Sequence, residues 1–360
     1  MTPNRDTHLE LAFAVPGNLA NLTGGYKYDR RLIQGLRNAG WSVKQLRLGD
    51  SFPQPTSRDM QDAAHQLATV NKEHPLIIDG LALGAFDQVV MEAIQAPVVA
   101  LIHHPLAKES GLSNSQRARF LNSERENLKQ VSHILAPSPH TANVLVRDYD
   151  IDAAQITIAR PGTDFQTKSQ NKDKPPLILS VGIQVPRKGH DILLKALSRI
   201  DHLSWKAVIA GGAYDQDHAS ALERLVTDLG LSDRVTLAGQ VSEERLSDLY
   251  ARASIFALAT RYEGYGIVFD EAMAYGLPIV SCTTGAVSET VAKGAGVLVQ
   301  PEDPSLFADA LAKILRDEQY RTEMASASKR AGKSLPKWRE TTEAVDTILK
   351  SIVSKQAVQS

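Results

Sequence analysis

The stretch SIFALATRYEGYGIVFDEAMA, residues 254–274, reads as a strand, a loop and a helix in succession. The apolar run Ser254–Ala257 leads into a loop holding Glu263, Gly264 and Gly266, and a helix follows from about Ile267. Glycines at a strand-to-helix turn let an anionic ligand approach the backbone, and the helix start adds N–H groups and the positive end of its dipole. Glu271 falls in the second helical turn, to the side of a phosphate bound at the helix start, where a carboxylate suits two ribose hydroxyls. Glu263 precedes the turn and can reach a sugar. The same acids would also serve as ordinary dipole partners of a helix N-terminus, worth roughly a few tenths of a kcal/mol.

Working outward, short apolar runs alternate with amphipathic stretches along the whole chain. The first series is Leu11–Val15, Trp41–Leu46, Leu76–Ile78, Val98–Ile102, His133–Ala136 and Gln155–Ile158. The second is Leu177–Val181, Lys206–Ala210, Val235–Ala238, Ser254–Ala257, Ile279–Ser281 and Gly296–Val299. This rhythm predicts parallel sheets with helices on both faces. Tyr28–Ala39 carries Leu32, Ile33 and Leu36 on one face with Gly40 placed to end it, and Gly276 and Pro278 stop the helix that passes through Met273. Gln166–Pro176 is polar, aperiodic and closed by two prolines, which makes it a linker. The expected architecture is α/β: two doubly wound Rossmann-like domains, 1–168 and 169–330, facing a cleft, with ligands at the carboxyl ends of the strands.

Composition narrows the function classes. A chain of 360 residues with 43% hydrophobic and 22% charged residues has the balance of a folded globular protein long enough for two domains. The net charge is −1 and both halves are balanced, which excludes the basic excess of a nucleic-acid binder and gives no strong electrostatic grip on an anionic membrane. The single cysteine, Cys282, allows no intrachain disulfide and suits a reducing compartment. Met1–Glu10 is polar and the run after it is too short for a signal-peptide core or a membrane span. A cytoplasmic protein is expected, with weak contact at the inner membrane face left open.

Glu263 and Glu271, with Gly-Tyr-Gly after the first and Ala-Met-Ala after the second, resemble the signature of glycosyltransferase family 4, a large retaining GT-B family of the glycosyl transferases group 1. Other segments agree in order over nearly the whole chain. Val181-Gly182 followed by Pro186-Arg187-Lys188-Gly189 is similar to the family's phosphate-binding loop, where a lysine can neutralise a diphosphate and an arginine can grip it bidentately. Many members place an arginine directly after Val-Gly; this chain has Ile183, and the resemblance gives Arg187 that second charge. Gly24-Gly25, after the first strand and before the first helix, resembles the family's glycine turn. His103, at the end of Val98–Ile102 and followed by His104-Pro105, resembles the family's histidine near the transferring sugar. Without the family, a satisfied core histidine is as good a reading, and a metal site lacks a visible third ligand.

Arg160–Asp164 resembles the segment that closes the first domain; Gly211-Gly212 and Val235–Val241 resemble the strand ends around the base; Ser281–Glu289 resembles a loop and helix bearing a glutamate. Trp338 resembles the aromatic residue where the chain crosses back, so 331–360 is expected to pack on the first domain. The resemblance implies His103, Glu263, Lys188 and Arg187 as the catalytic group. It implies Gly24, Gly25, Gly182, Gly264, Tyr265, Gly266, Ile267 and Glu271 as the donor site. It implies transfer of a hexose-type sugar from a nucleotide-diphosphate sugar, UDP by default, with retention and with neither metal nor cofactor. The acceptor stays open among a lipid, a saccharide and a small metabolite, as does the oligomeric state. A nucleotide-sugar epimerase of the same fold and a non-catalytic nucleotide-sugar scaffold are the rival readings.

Some motifs carry less. Asp148-Tyr149-Asp150 and Asp215-Gln216-Asp217 have the spacing of metal-binding acids in GT-A transferases, yet neither closes a buried strand, so solvated turns are expected. Lys108, Arg117, Arg119, Arg125 and Lys129, interspersed with acids, read as a mixed solvated helix rather than a lipid-facing one.

Overall fold

Every one of the twelve apolar runs becomes a strand of a parallel sheet. In the computed structural model, which describes residues 9–164 and 171–359, the first six strands are β1 Leu9–Pro16, β2 Trp41–Leu48, β3 Leu76–Asp79, β4 Val98–Leu101, β5 His133–Ala136 and β6 Ile156–Ile158. The second six are β7 Leu177–Val181, β8 Lys206–Ala210, β9 Val235–Gly239, β10 Ile255–Leu258, β11 Ile279–Cys282 and β12 Gly296–Val299. The first sheet has the order β2-β1-β3-β4-β5-β6 and the second β12-β11-β10-β7-β8-β9. All pairings are parallel.

The reason is visible in the strands themselves. Central parallel strands are covered on both faces, so they are apolar at every position. In the second sheet Ile178, Ile209, Ile255, Ala257 and Val280 feed one apolar cluster, while Leu177, Leu179, Ala210, Phe256 and Leu258 feed another. The two sets alternate along each strand, as a two-residue period requires. Each fully buried Ile or Leu of this kind contributes roughly 1.5–3 kcal/mol. In the first sheet Ala12, Ala14, Leu76, Ile78, Val98 and Ala100 point into one cluster.

The chain divides into two compact units. The first holds Met1–Asn21, Gly25–Gly162 and Pro336–Ser360; the second holds Leu22–Gly24 and Thr163–Leu335. The boundary expected at 168/169 and the start of the Gln166–Pro176 linker lie outside the described residues. Within the first unit the long helix Trp338–Gln359 is fastened by several contacts. Trp338 meets Tyr28 edge-on at 5.6 Å, Thr341 donates to the Arg160 carbonyl at 2.6 Å, and Trp41 Nε1 donates to Asp346 at 2.8 Å. A side chain at Gly162 would run into the Trp338 backbone. No described helix is long and apolar enough to cross a membrane.

The discounted motifs lie at helix ends rather than in solvated turns. Asp148 pairs with Lys108 at 2.8 Å, Tyr149 is buried, and Asp150 closes its helix in the left-handed conformation (φ 61°). Asp215 caps the helix Gln216–Asp228 by accepting from His218 N. Four of the five basic residues of 106–130 are likewise committed. Lys108 holds Asp148, Arg117 donates to the Ala107 carbonyl, Arg125 donates to the Asp148 carbonyl at 2.5 Å, and Lys129 holds Glu126 at 2.8 Å. One expectation shifts: the helix expected from Tyr28 begins at Gly24, so Gly24-Gly25 form its first turn rather than a loop before it.

Candidate active site

The order of the second sheet reverses between β7 and β10, and open α/β sheets bind ligands at the carboxyl ends of the strands flanking such a point. Both loops that leave those strands carry charge. After β7 come Gly182, a 3-10 turn over Pro186–Lys188, Gly189, and the helix His190–Ser198. After β10 come residues 259–266 and the helix Ile267–Ala274. The loops are locked together. Gly189 adopts φ 63°, and a side chain there would strike the Ala259 carbonyl. Arg261 N donates to the Arg187 carbonyl at 2.8 Å. The Arg261 guanidinium grips Asp191 bidentately at 2.9 and 3.0 Å and also bonds Glu302.

Lys188, Arg187 and Glu263 meet at this junction. Lys188 Nζ lies 2.6 Å from Glu263 Oε1, and Arg187 Nη1 lies 3.6 Å from Glu263 Oε2. Thr260 donates its hydroxyl to Glu263 Oε1 at 3.0 Å. All three charged side chains are at least four-fifths buried; Glu263 is only 5% exposed. Burial alone would push the Glu263 carboxyl up, but Lys188 and Arg187 overcome it and hold the group below its ordinary range. The trio therefore carries a net positive charge fixed in a largely water-excluded setting. Arg187 also donates to the Tyr262 carbonyl at 3.0 Å, so its guanidinium is built into the loop as well as into the charge cluster.

The helix start beside the trio is shaped by glycine. Gly266 has φ 91°, and a side chain on it would press on Phe269 at 2.6 Å. Ile267 is the first helical residue, and its N-cap Gly266 has no side chain to cap the helix. Tyr265 donates to Asp270 at 2.6 Å, while its own carbonyl accepts from Thr290 at 2.7 Å, fixing the loop around Gly264. Glu271 is half-buried, and Tyr250 donates its phenol to Glu271 Oε2 at 2.9 Å. Tyr250 is buried in a stack with Tyr275 at 5.3 Å and Phe256 at 6.0 Å, so it is a rigid prop for that carboxylate. Gly182 packs against the Lys188 stem and accepts at its carbonyl from the buried His190 at 3.1 Å. A side chain at Gly211 would run into the Gly182 carbonyl, and Gln240 and Tyr214 flank Gly212. Glu289 sits exposed on the helix Val287–Thr290.

In the first unit, His103 follows β4 and meets two carboxylates that the sequence reading did not single out. Its Nε2 is 2.9 Å from Asp29 Oδ1 and 3.5 Å from Asp79 Oδ2, and both acids are buried. Asp79 ends β3, the neighbour of β4, and caps the next turn by accepting from Leu81 N at 2.7 Å. Gly25 lies against the His103 ring, where an added side chain would sit 3.4 Å from Cδ2. Tyr28 meets the ring edge-on at 5.1 Å. The donor atoms of Asp29, Asp79 and His103 lie within 4.8 Å of one another, the one such group of three among the described residues. A cation could be accommodated by that spacing, but the short contacts to His103 and to Leu81 N are those of a hydrogen-bonded cluster. Asp29, Asp79, Thr260 and Tyr250 are thus additions to the sequence-derived set.

Comparison with known proteins bears on the second unit above all. Residues 163–331 match the family described as Glycosyl transferases group 1. The D-inositol 3-phosphate glycosyltransferase of Xylanimonas cellulosilytica is 31% identical over 219 residues, covering 56% of this chain and 52% of the relative. The chain spans about half the length of the curated relatives of that kind. Among solved structures, the sucrose-phosphate synthase of Thermosynechococcus elongatus aligns over 96% of this chain and 99% of its own, with a TM-score of 0.80 at 20% identity. Anabaena Alr3699/HepE in complex with UDP-glucose aligns over 96% and 100%, with a TM-score of 0.77 at 17% identity. These structural likenesses establish the two-domain GT-B architecture. The family match to the glycosyl transferases group 1 lies within the second unit, over residues 163–331.

Proposed function

We propose that the chain is a glycosyltransferase that takes a hexose from a nucleotide-diphosphate sugar, a UDP-sugar, and passes it with retention of configuration and without a metal ion to a lipid, saccharide or small-metabolite acceptor in the cytoplasm. The observation that carries the reading is the buried, net positive trio of Lys188, Arg187 and Glu263 beside a glycine-capped helix start at the sheet's switch point. Such a place suits an anion that gains charge as a bond breaks. The C1–O bond to the diphosphate breaks, a C1–O bond to the acceptor oxygen forms on the same face, and the acceptor's proton passes to the leaving phosphate oxygen. Lys188, Arg187 and the N–H groups near Gly266 stabilise the developing diphosphate charge, each preorganised donor being worth about 3 kcal/mol. Glu271, propped by Tyr250, takes the ribose, and Glu263 reaches the sugar while orienting Lys188. The glycosyltransferase relatives and the UDP-glucose complex of a structural neighbour support this reading.

The test is a panel of UDP- and GDP-sugars, each incubated with candidate acceptors and followed by proton NMR of the anomeric signals. Consumption of a UDP-sugar with an α-donor giving an α-product is expected. Epimerised donor without any acceptor, or an inverted product, would contradict the proposal.

A further inference from the structure

The two buried carboxylates behind His103 have no part in the transfer steps above, yet their burial demands a reason. Asp29 lies on the helix Gly24–Asn38 among Leu32, Ile33 and Leu36, fully buried on the apolar face. A carboxylate in such a place is costly unless it is bonded and its charge is matched. Its Oδ1 meets His103 Nε2 at 2.9 Å, while Oδ2 is buried with no hydrogen-bond partner among the described residues. Two carboxyls sharing one buried site do not both ionise. Burial, and then the charge of Asp29, pushes Asp79 up, which favours a proton on Asp79 shared with Asp29.

We propose that Asp29 is the positioning residue of His103: by accepting the Nε2–H it fixes the ring as the Nε2-protonated tautomer, leaving the Nδ1 lone pair for a substrate hydroxyl. The tautomer stands independently of the transferase reading; the hydroxyl it serves rests on that reading. The ring is otherwise fixed by Tyr28 at its edge and by Gly25 against Cδ2. Nδ1 makes no hydrogen bond among the described residues, and the His103 side chain is 19% exposed, so one nitrogen is anchored inside and the other is presented. The ionisable groups facing the ring are Asp29 and Tyr28 from the first helix and Asp79 from β3; the adjacent His104 is turned to Glu109 at 3.1 Å. Burial works against protonation of His103, but Asp29, by its charge and its hydrogen bond, carries it above its ordinary range. Which nitrogen of an imidazole carries the proton is set by the bond the other end makes.

Long-range proton–nitrogen NMR of histidine-labelled protein tests this without any substrate. The expected neutral ring has Nε2 protonated and Nδ1 bare. Asp29→Asn, which keeps an acceptor oxygen but loses the charge, is expected to lower the His103 titration midpoint. The acid limb of kcat/KM then moves to lower pH in step, and kcat/KM falls roughly tenfold, as expected for a weakened positioning hydrogen bond. Asp79→Asn, whose amide still donates to Asp29, is expected to leave the midpoint nearly in place. An Nδ1-protonated ring in the wild-type protein overturns the proposal, as does an unmoved midpoint in Asp29→Asn. A drop in Asp79→Asn as large as that in Asp29→Asn also overturns it. If the spectra come out as expected while no nucleotide sugar is consumed, the tautomer assignment stands and the transferase reading is what fails.

Discussion

Glu263→Gln separates the two duties assigned to this carboxylate. In the native structure it balances Lys188 at 2.6 Å and Arg187 at 3.6 Å and accepts from Thr260 at 3.0 Å, all in a buried setting. Removing one partner of a buried ion pair costs about 3–5 kcal/mol; glutamine keeps the shape and one acceptor, so the loss should sit near 3 kcal/mol. In a domain the size of the second unit, each kcal/mol moves Tm by about 2–4 °C, giving a fall of roughly 6–12 °C. The same change raises the local charge from one net positive to two. A diphosphate should therefore bind the variant more tightly, by about tenfold for a unit charge acting across a partly screened site. Scanning fluorimetry with and without saturating UDP reads both effects, and they have opposite signs: a lower Tm without ligand and a larger shift with it. The pH dependence adds a check. A carboxyl held below its ordinary value of 4.5 gives its full stabilisation above that pH and loses it as pH falls through the lower folded value, so the Tm gap to the variant is flat at neutral pH and closes in acid. An unchanged Tm combined with a smaller UDP shift would refute the reasoning, because Glu263 would then be a direct ligand contact and not the partner of the two cations.

Other consequences are open to the same instruments. Glu271→Gln should abolish the preference for UDP over 2′-deoxy-UDP in calorimetry while leaving the Tm within a few degrees; Tyr250→Phe, which removes only the prop at 2.9 Å, should weaken that preference and cost about 1 kcal/mol. Gly266→Ala forces a side chain into the left-handed region at φ 91° and onto Phe269, so at least about 1–2 kcal/mol should be lost, read as a Tm drop without UDP. Burial pushes His190 down to about 4 despite its bond to the Gly182 carbonyl, so the unfolded chain gains that proton first. Stability should be full above pH 6.5 and fall by about 1.4 kcal/mol per unit between 6.5 and 4, a slope that His190→Gln should flatten.

The fold was legible because strands buried on both faces must be apolar at every position, and such runs stand out between polar helices. Leu177–Val181 and Gly296–Val299 were bounded to the residue. Boundaries failed where glycine is ambiguous: Gly24-Gly25 read as a turn because glycine is poor in helix interiors, yet the first turn of a helix tolerates it. Lys188 and Glu263 stood out because charged residues beside glycines after a strand end are unusual. The burial of Arg187 against Tyr262 and Glu263 was not, since an arginine in a basic loop carries no mark of the direction it turns. Asp29, Asp79 and His103 are far apart in the chain, and only the adjacency of β3 and β4 with the first helix unites them. Two signals were nonetheless present: an acid on the apolar face beside Leu32 and Ile33, and an acid closing the otherwise apolar run Leu76–Ile78.

The central claim is that Lys188 and its partners form the diphosphate site of a nucleotide-sugar enzyme. Its most direct test is the Tm of the wild-type chain and of Lys188→Ala across a titration of UDP and GDP. A ligand at a hundred times its Kd stabilises the folded state by about 2.7 kcal/mol. A saturable rise of several degrees with UDP is expected in the wild-type protein, with its near-complete loss in Lys188→Ala. An equal rise in both, or none in the wild-type protein with either nucleotide, would contradict it.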